Sequence, residues 1–333
     1  MADDLELLVL RCGVHGKSAE AYASRLRTRL PDVTVNCART PAEERSLIAD
    51  ARFVTGTAID ESLLEHARES LLEHARALSV FACTYVGTGH LPLEARRKRS
   101  ITVTNAAGVH GPNVAEHVLG AILGFARRFH VGRRQQGTRT WRHYPTRELQ
   151  GSTVTVFGLG AIGTAVLERL EPFGVDTIGV RYTPEKGGRA DEVVGFDSAS
   201  VHDALARSDY VVLACPLTDE TRGLLSRPEF ATLPSDAVII NLACGPVVDT
   251  DALCRALQRG HIRGASLDVT DPEPLPPDHP LWRIDAVQLT PHNAGDTPRY
   301  YDRLAAIVGE NVDRIRETGS YTGLRNQVVP DAE

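Results

Sequence analysis

The amino-acid sequence predicts an α/β protein with two doubly wound parallel-sheet domains, and two observations carry that prediction. Short apolar strands alternate with helical patterns from the start of the chain, and a glycine-rich turn near mid-chain opens a second series of the same kind. In the first series, Leu7-Leu8-Val9-Leu10 precedes a helical stretch over 19–30, and Val33-Thr34-Val35 precedes another over 42–51. Phe53-Val54-Thr55, a helix over 59–78, Val80-Phe81-Ala82-Cys83 and Ile101-Thr102-Val103-Thr104 complete it. Apolar strands separated by helices form a parallel sheet covered on both faces. The second series begins at Val154 and continues with strands over 211–214, 238–241, 264–267 and 287–289. The two series join near residue 105, through a helix expected over 112–130. Its apolar positions, Val114, Val118, Leu119, Ile122, Leu123 and Phe125, nearly encircle it, as in a helix buried between domains or subunits. The expected division is residues 1–104 plus 296–333 in one domain and 105–295 in the other, with a helix over 300–315 returning to the first.

A chain of 333 residues is long enough for two such cores. The net charge of −6 argues against a general nucleic-acid or membrane partner. Basic clusters at Arg96-Arg97-Lys98-Arg99 and at Arg127-Arg128 with Arg133-Arg134 lack interleaved aromatic residues and read as solvated helix faces. No apolar run reaches membrane length, and Met1-Ala2-Asp3-Asp4 does not read as a signal peptide, so the cytoplasm is the expected location. Cysteines 12, 37, 83, 215, 244 and 254 show no CxxC pair and no metal-ligand spacing, so reduced thiols and no metal are expected. A tandem repeat, Ser62-Leu63-Leu64-Glu65-His66-Ala67-Arg68 and Ser70-Leu71-Leu72-Glu73-His74-Ala75-Arg76, lengthens one helix by about two turns and carries no evident chemistry.

The mid-chain turn is Gly158-Leu159-Gly160-Ala161-Ile162-Gly163, set between the strand pattern Ser152–Phe157 and a helical pattern from Thr164. In that setting the first glycine permits the tight turn, the second lets backbone approach a pyrophosphate, and the third lets helix and strand pack closely. The helix N-terminus adds free N–H groups and the positive end of its dipole. Gly158, Gly160, Ala161, Ile162 and Gly163 are therefore expected to bind a dinucleotide. The next strand, Thr177-Ile178-Gly179-Val180, ends in Arg181-Tyr182-Thr183, where an acidic residue would bond a ribose 2′-OH. An arginine there pairs with a 2′-phosphate instead and stacks on adenine, which favours NADP over NAD.

Reactive groups of an open α/β sheet belong at the carboxyl ends of its strands. Three such ends carry chemical residues: Asn241-Leu242-Ala243-Cys244-Gly245, Asp268-Val269-Thr270-Asp271-Pro272-Glu273-Pro274-Leu275-Pro276, and Thr290-Pro291-His292-Asn293-Ala294-Gly295. Together with the glycine motif, and with His279-Pro280-Leu281-Trp282, they resemble the D-isomer-specific 2-hydroxyacid dehydrogenase family. Arg181 and Thr270-Asp271-Pro272-Glu273 look like its glyoxylate/hydroxypyruvate reductase branch. The resemblance implies a flavodoxin-like substrate domain, a Rossmann cofactor domain and hydride transfer between a nicotinamide and a small hydroxy or carbonyl compound. It implies His292 as acid/base with Glu273 as its partner, and Asp268 against the nicotinamide carboxamide. Tyr182, Cys215, Pro216, Thr221, Leu242, Ala243, His292 and Gly295 would also meet the cofactor. Gly87-Thr88-Gly89-His90 looks like the family's substrate-carboxylate loop, with backbone N–H groups at Thr88 and Gly89, although Leu91 stands where the family usually has Asp. Asn113-Val114-Ala115-Glu116-His117 matches the start of a helix that also serves a dimer interface in the family, so a homodimer is expected.

Chemistry supports carrying this acid/base pair over from the family. Reducing a ketone with a hydride requires a proton for the developing alkoxide, and histidine delivers one near neutral pH. The departure is Cys244, because the family pattern reads Asn-x-Ala-Arg-Gly and its Arg grips the substrate carboxylate. A thiol is shorter and cannot form a bidentate pair. Three readings follow: a reductase of an atypical carbonyl or C=N substrate, with Cys244 lining the substrate site; a conventional 2-oxo acid reductase in which Arg303 or Arg299 compensates; or an NADP(H)-sensing or scaffold protein without turnover.

Overall fold

The computed structural model describes residues 5–59, 63, 78–91, 93 and 100–328. The tandem repeat and the basic cluster at 96–99 fall outside these, apart from Leu63. The chain divides into two compact units, Met1–Val109 with Thr297–Glu333 and His110–Asp296.

The first unit is built on a five-stranded parallel sheet of β1 (Glu6–Val9), β2 (Thr34–Cys37), β3 (Phe53–Gly56), β4 (Val80–Cys83) and β5 (Thr102–Thr104). Its order is β2-β1-β3-β4-β5, the flavodoxin-like arrangement. Register is set by pairs such as Leu7 with Val35 and Phe53, and Phe53 with Val80. Successive side chains alternate between two cores: Leu7, Val9, Phe53 and Val80 on one face, Leu8, Val54, Phe81 and Val103 on the other. Helix α1 (Ala19–Arg29) starts where the Ser18 hydroxyl accepts from Ala21 N–H, and α2 (Pro41–Ile48) where Thr40 accepts from Glu43 N–H.

The second unit carries seven parallel strands in the order β12-β11-β10-β9-β6-β7-β8. They are β6 (Thr153–Phe157), β7 (Asp176–Val180), β8 (Glu192–Val194), β9 (Tyr210–Leu213), β10 (Val238–Asn241), β11 (Gly264–Leu267) and β12 (Val287–Leu289). Strand order reverses at β6, between β7 and β9, which is the position where open α/β sheets bind ligands. The edge strand β8 is absent from the sequence reading, because three residues, one exposed and two half-buried, show no resolvable period.

The expected helix over 112–130 is two helices, α3 (Gly111–Ala126) and α4 (Phe129–Gly137). They break at Arg128, which takes a left-handed conformation (φ 53°) that no helix interior tolerates. Arg147 N–H then takes the freed carbonyl of Ala126 at 2.9 Å. Val118, Ile122 and Phe125 join Val154, Val166 and Val212 in the core of their own unit. Further helices among the described residues are α5 (Ala161–Leu170), α6 (Ser198–Ala206), α7 (Arg227–Thr232), α8 (Thr250–Gln258) and α9 (Tyr300–Thr318). The last belongs to the first unit, where Tyr301 stacks on Tyr22 of α1 at 5.1 Å.

Candidate active site

The turn between β6 and α5 meets the geometric demands of a phosphate cradle. Gly158 has φ 95°, and a Cβ there would lie 2.7 Å from the Ala214 carbonyl oxygen. A Cβ on Gly163 would sit 1.9 Å from the Gly158 carbonyl oxygen, so only glycine lets α5 pack this close to the turn. Gly160 differs, since its Cβ would point into open space with nothing within 4 Å. That space lies before an α5 N-terminus that has no side-chain cap, so its first N–H groups point outward as an anion site requires.

Beside this turn lies a cavity of about 430 Å³, which brings together Gly158, Gly160, Arg181, Tyr182, Cys215 and Pro216. Thr221 lines it too, although its hydroxyl donates to the Pro216 carbonyl at 2.7 Å and so braces the turn. Arg181 is held by a 2.6 Å hydrogen bond from Nη1 to the Gly187 carbonyl, and Tyr182 is exposed. Ala161, Ile162 and Gly163 belong to the adjoining helix rather than the cavity wall. Sequence reading missed Phe196, Thr218 and Glu220 on that wall. A hydrogen bond from the Thr218 side chain holds the Glu220 carboxyl below its usual range.

At the carboxyl ends of β11 and β12, one buried carboxylate organises a loop. Asp268 Oδ1 accepts from the Thr290 hydroxyl at 2.6 Å and from Asn293 N–H at 2.8 Å, and Oδ2 accepts from Ala294 N–H at 2.9 Å. His292 N–H donates to the Asp268 carbonyl at 2.8 Å, and His292 itself adopts φ 51°. A non-glycine residue keeps that conformation when its surroundings fix it. The loop is also held from α3: the His110 ring (Nδ1) meets the Gly295 carbonyl at 2.9 Å, and Asn113 Nδ2 donates to the Ala294 carbonyl at 2.7 Å. Nothing local signals those two residues, which lie more than 180 positions upstream. On this base His292 Nδ1 lies 2.7 Å from Glu273 Oε1, while the imidazole side chain remains 66% exposed.

Cys244 is half-buried next to the same loops. Asn241 Oδ1 accepts from Ala243 N–H and its Nδ2 donates to the Cys244 carbonyl, closing the turn that carries Leu242, Ala243 and Cys244. A Cβ on Gly245 would lie 1.9 Å from the Thr270 carbonyl oxygen, so this turn packs directly on the segment leading to Glu273. Cys215 is buried, and burial pushes its thiol up to about 11. Cys12, Cys37, Cys215, Cys244 and Cys254 form no disulfide. In the first unit, half-buried Thr88 and exposed Gly89 follow β4, and Leu91 fills the core there. Arg303 donates to the Val109 carbonyl at 2.8 Å, which ties that guanidinium into the first unit.

A doubly wound sheet with a glycine cradle at its switch point and a His–Glu pair at its strand ends defines a nicotinamide-dependent oxidoreductase. Residues 119–294 match the family described as D-isomer specific 2-hydroxyacid dehydrogenase, NAD binding domain, and the chain belongs to that family. It is 36% identical to a glyoxylate reductase of Thermofilum pendens over 76% of this chain and 76% of that protein. It is 31% identical to a D-3-phosphoglycerate dehydrogenase of Methanocaldococcus jannaschii over 88% of this chain and 55% of that one. A D-isomer specific 2-hydroxyacid dehydrogenase of Xanthobacter autotrophicus Py2, solved in complex with NADPH and MES, superposes with a TM-score of 0.77. It is 30% identical, and the match covers 97% of each chain. The protein is thus an NAD(P)-dependent dehydrogenase. Among the described residues, no helix is long and apolar enough to cross a membrane.

Proposed function

We propose that this chain is an NADP(H)-preferring reductase of a small carbonyl, or related C=N, compound, with His292 and Glu273 as its acid/base pair. The observation that carries the proposal is the 2.7 Å His292–Glu273 contact on a loop pinned by Asp268. Glu273 engages Nδ1 and so leaves Nε2 as the atom that gives a proton to the substrate oxygen, or takes it back in the reverse direction. The bound dihydronicotinamide supplies the hydride. Gly158, Gly160 and Gly163 would hold its pyrophosphate, Arg181 its 2′-phosphate, and Cys215, Pro216, Leu242, Ala243 and Gly295 its remaining contacts. Asp268 keeps an unused acceptor site for the carboxamide while its observed bonds fix the loop. Thr88 and Gly89 would offer backbone N–H groups to the substrate. The family resemblance further favours a homodimer in the cytoplasm.

Cys244 replaces the cation that the family pattern uses for the 2-carboxylate, so the natural substrate is expected to lack that group or to place it elsewhere. The second reading, a conventional 2-oxo acid reductase, is favoured by the 36% identity to a glyoxylate reductase. It requires another cation, and Arg303 is committed to the Val109 carbonyl, which leaves Arg299. The test follows NADPH and NADH oxidation with glyoxylate, hydroxypyruvate and phenylpyruvate, for the native protein and Cys244→Arg. The proposal expects slow native turnover and a gain of roughly 30-fold or more in the variant, the worth of a charge-assisted pair in a protected site. Fast native turnover establishes the conventional reading instead. Turnover by neither, with tight NADPH binding, points to the sensing protein.

A further inference from the structure

Four guanidinium groups of the second unit share one cavity, at the opposite edge of the sheet from the glycine turn. Arg128, Arg134, Arg147 and Arg263 line this space of about 540 Å³, together with His130. Arg263 immediately precedes β11, so the cavity lies at the amino ends of the strands, whereas the cofactor turn follows the carboxyl end of β6.

The charges do not balance. Arg134 pairs with Asp285 and Arg147 with Asp236, so four cations face two carboxylates. Arg128 gives a long 3.3 Å hydrogen bond to the Pro145 carbonyl. Arg263 lies over the Tyr210 ring at 5.7 Å and donates from Nη2 to the Tyr210 hydroxyl at 3.2 Å. Its Nε is buried and has no hydrogen-bond partner among the described residues. Buried donors are nearly always paired, and an unpaired one marks a place for a water, an ion or a ligand. His130 adds no compensating or further charge. Its burial, with Arg128 and Arg134 beside it, holds the imidazole below its ordinary value and therefore neutral at pH 7.

We propose that this cavity binds the phosphate group of a small phosphate monoester. The two uncompensated positive charges match a dianion. The arginines reach the cavity from both ends of α4, from the coil before β6 and from just before β11, a spread that suits tetrahedral oxygens better than a planar carboxylate. Phe125 and Val131 supply an apolar wall for the organic part. Nothing in this site depends on the reaction assigned to the other edge of the sheet.

The test titrates phenyl phosphate into the full-length protein by calorimetry, and follows the His130 ring protons by NMR. Saturable binding is expected, with a rise in the pH at which His130 titrates as the dianion arrives. Arg134→Gln, at a half-exposed position, should weaken binding about tenfold, while Arg255→Gln on the exposed face of α8 leaves it unchanged. Arg263→Gln should do the same as Arg134→Gln if thermal melting shows it folded. Absence of saturation, or affinity indifferent to Arg134→Gln, overturns the site. Equal affinity for phthalate overturns the assignment to phosphate. A change of sedimentation in Arg134→Gln without phosphate binding assigns the cavity to a second copy of the chain.

Discussion

The loop that carries His292 and the loop that carries Cys244 leave the same edge of one parallel sheet, yet they are finished in opposite ways. The first is fixed by a buried carboxylate taking three hydrogen bonds, by two side chains at the start of α3 and by a 2.7 Å contact with Glu273 that orients the imidazole. The second is a turn closed by Asn241 that presents a thiol, and a thiol brings neither charge nor a donor fork to the site. On the proposed reading, proton delivery is pre-organised at His292, whereas Cys244 leaves out the grip on an anionic substrate at the position where the family pattern provides it. The proposed roles place catalytic chemistry and substrate choice on separate loops of one sheet, so that one can change while the other is retained.

The largest test of that contrast is His292→Ala. Loss of a positioned acid/base group should lower kcat by about 10²- to 10⁴-fold in steady-state assays, with NADPH affinity from fluorescence titration little changed. An equal fall in NADPH affinity would show that the loop serves binding rather than proton transfer. Asp268→Ala comes next, because three hydrogen bonds to a charged acceptor disappear at a residue only 4% exposed. At roughly 2–3 kcal/mol, the loss should lower Tm by about 5–10 °C in calorimetry and also depress turnover. A variant as stable as the native protein would mean that the loop does not depend on its carboxylate anchor.

The smallest effect separates the two thiols of the site. Burial holds Cys215 as a neutral thiol up to about pH 11, and the thiolate is the reactive form. Iodoacetamide at pH 8, read by peptide mass spectrometry, should therefore modify exposed Cys12 first and half-buried Cys244 next, with Cys215 slowest. The Cys215 rate should climb steadily as pH rises toward 11. Rapid labelling of Cys215 at pH 8 would contradict its burial.

Much of this was legible in the residues themselves, and the reason is local. Short apolar strands, helices between them and glycines at fixed offsets are short-range steric statements, and the clashes at Gly158 and Gly163 bear out the last of these. His292 and Glu273 were readable as a pair only through the family resemblance, since 19 residues separate them and only the fold brings them to 2.7 Å. The break at Arg128 escaped the sequence because an arginine gives no warning of a left-handed backbone, which nothing but its surroundings imposes. Tertiary structure alone decided that His110 and Asn113 would clamp the His292 loop, and that arginines read as a solvated helix face would meet Arg147 and Arg263 in one cavity. The sequence by itself determines what each segment can form. Which distant polar groups then share a site depends on how those segments pack, because burial makes each such group find a partner or remain, like Arg263 Nε, without one among the described residues.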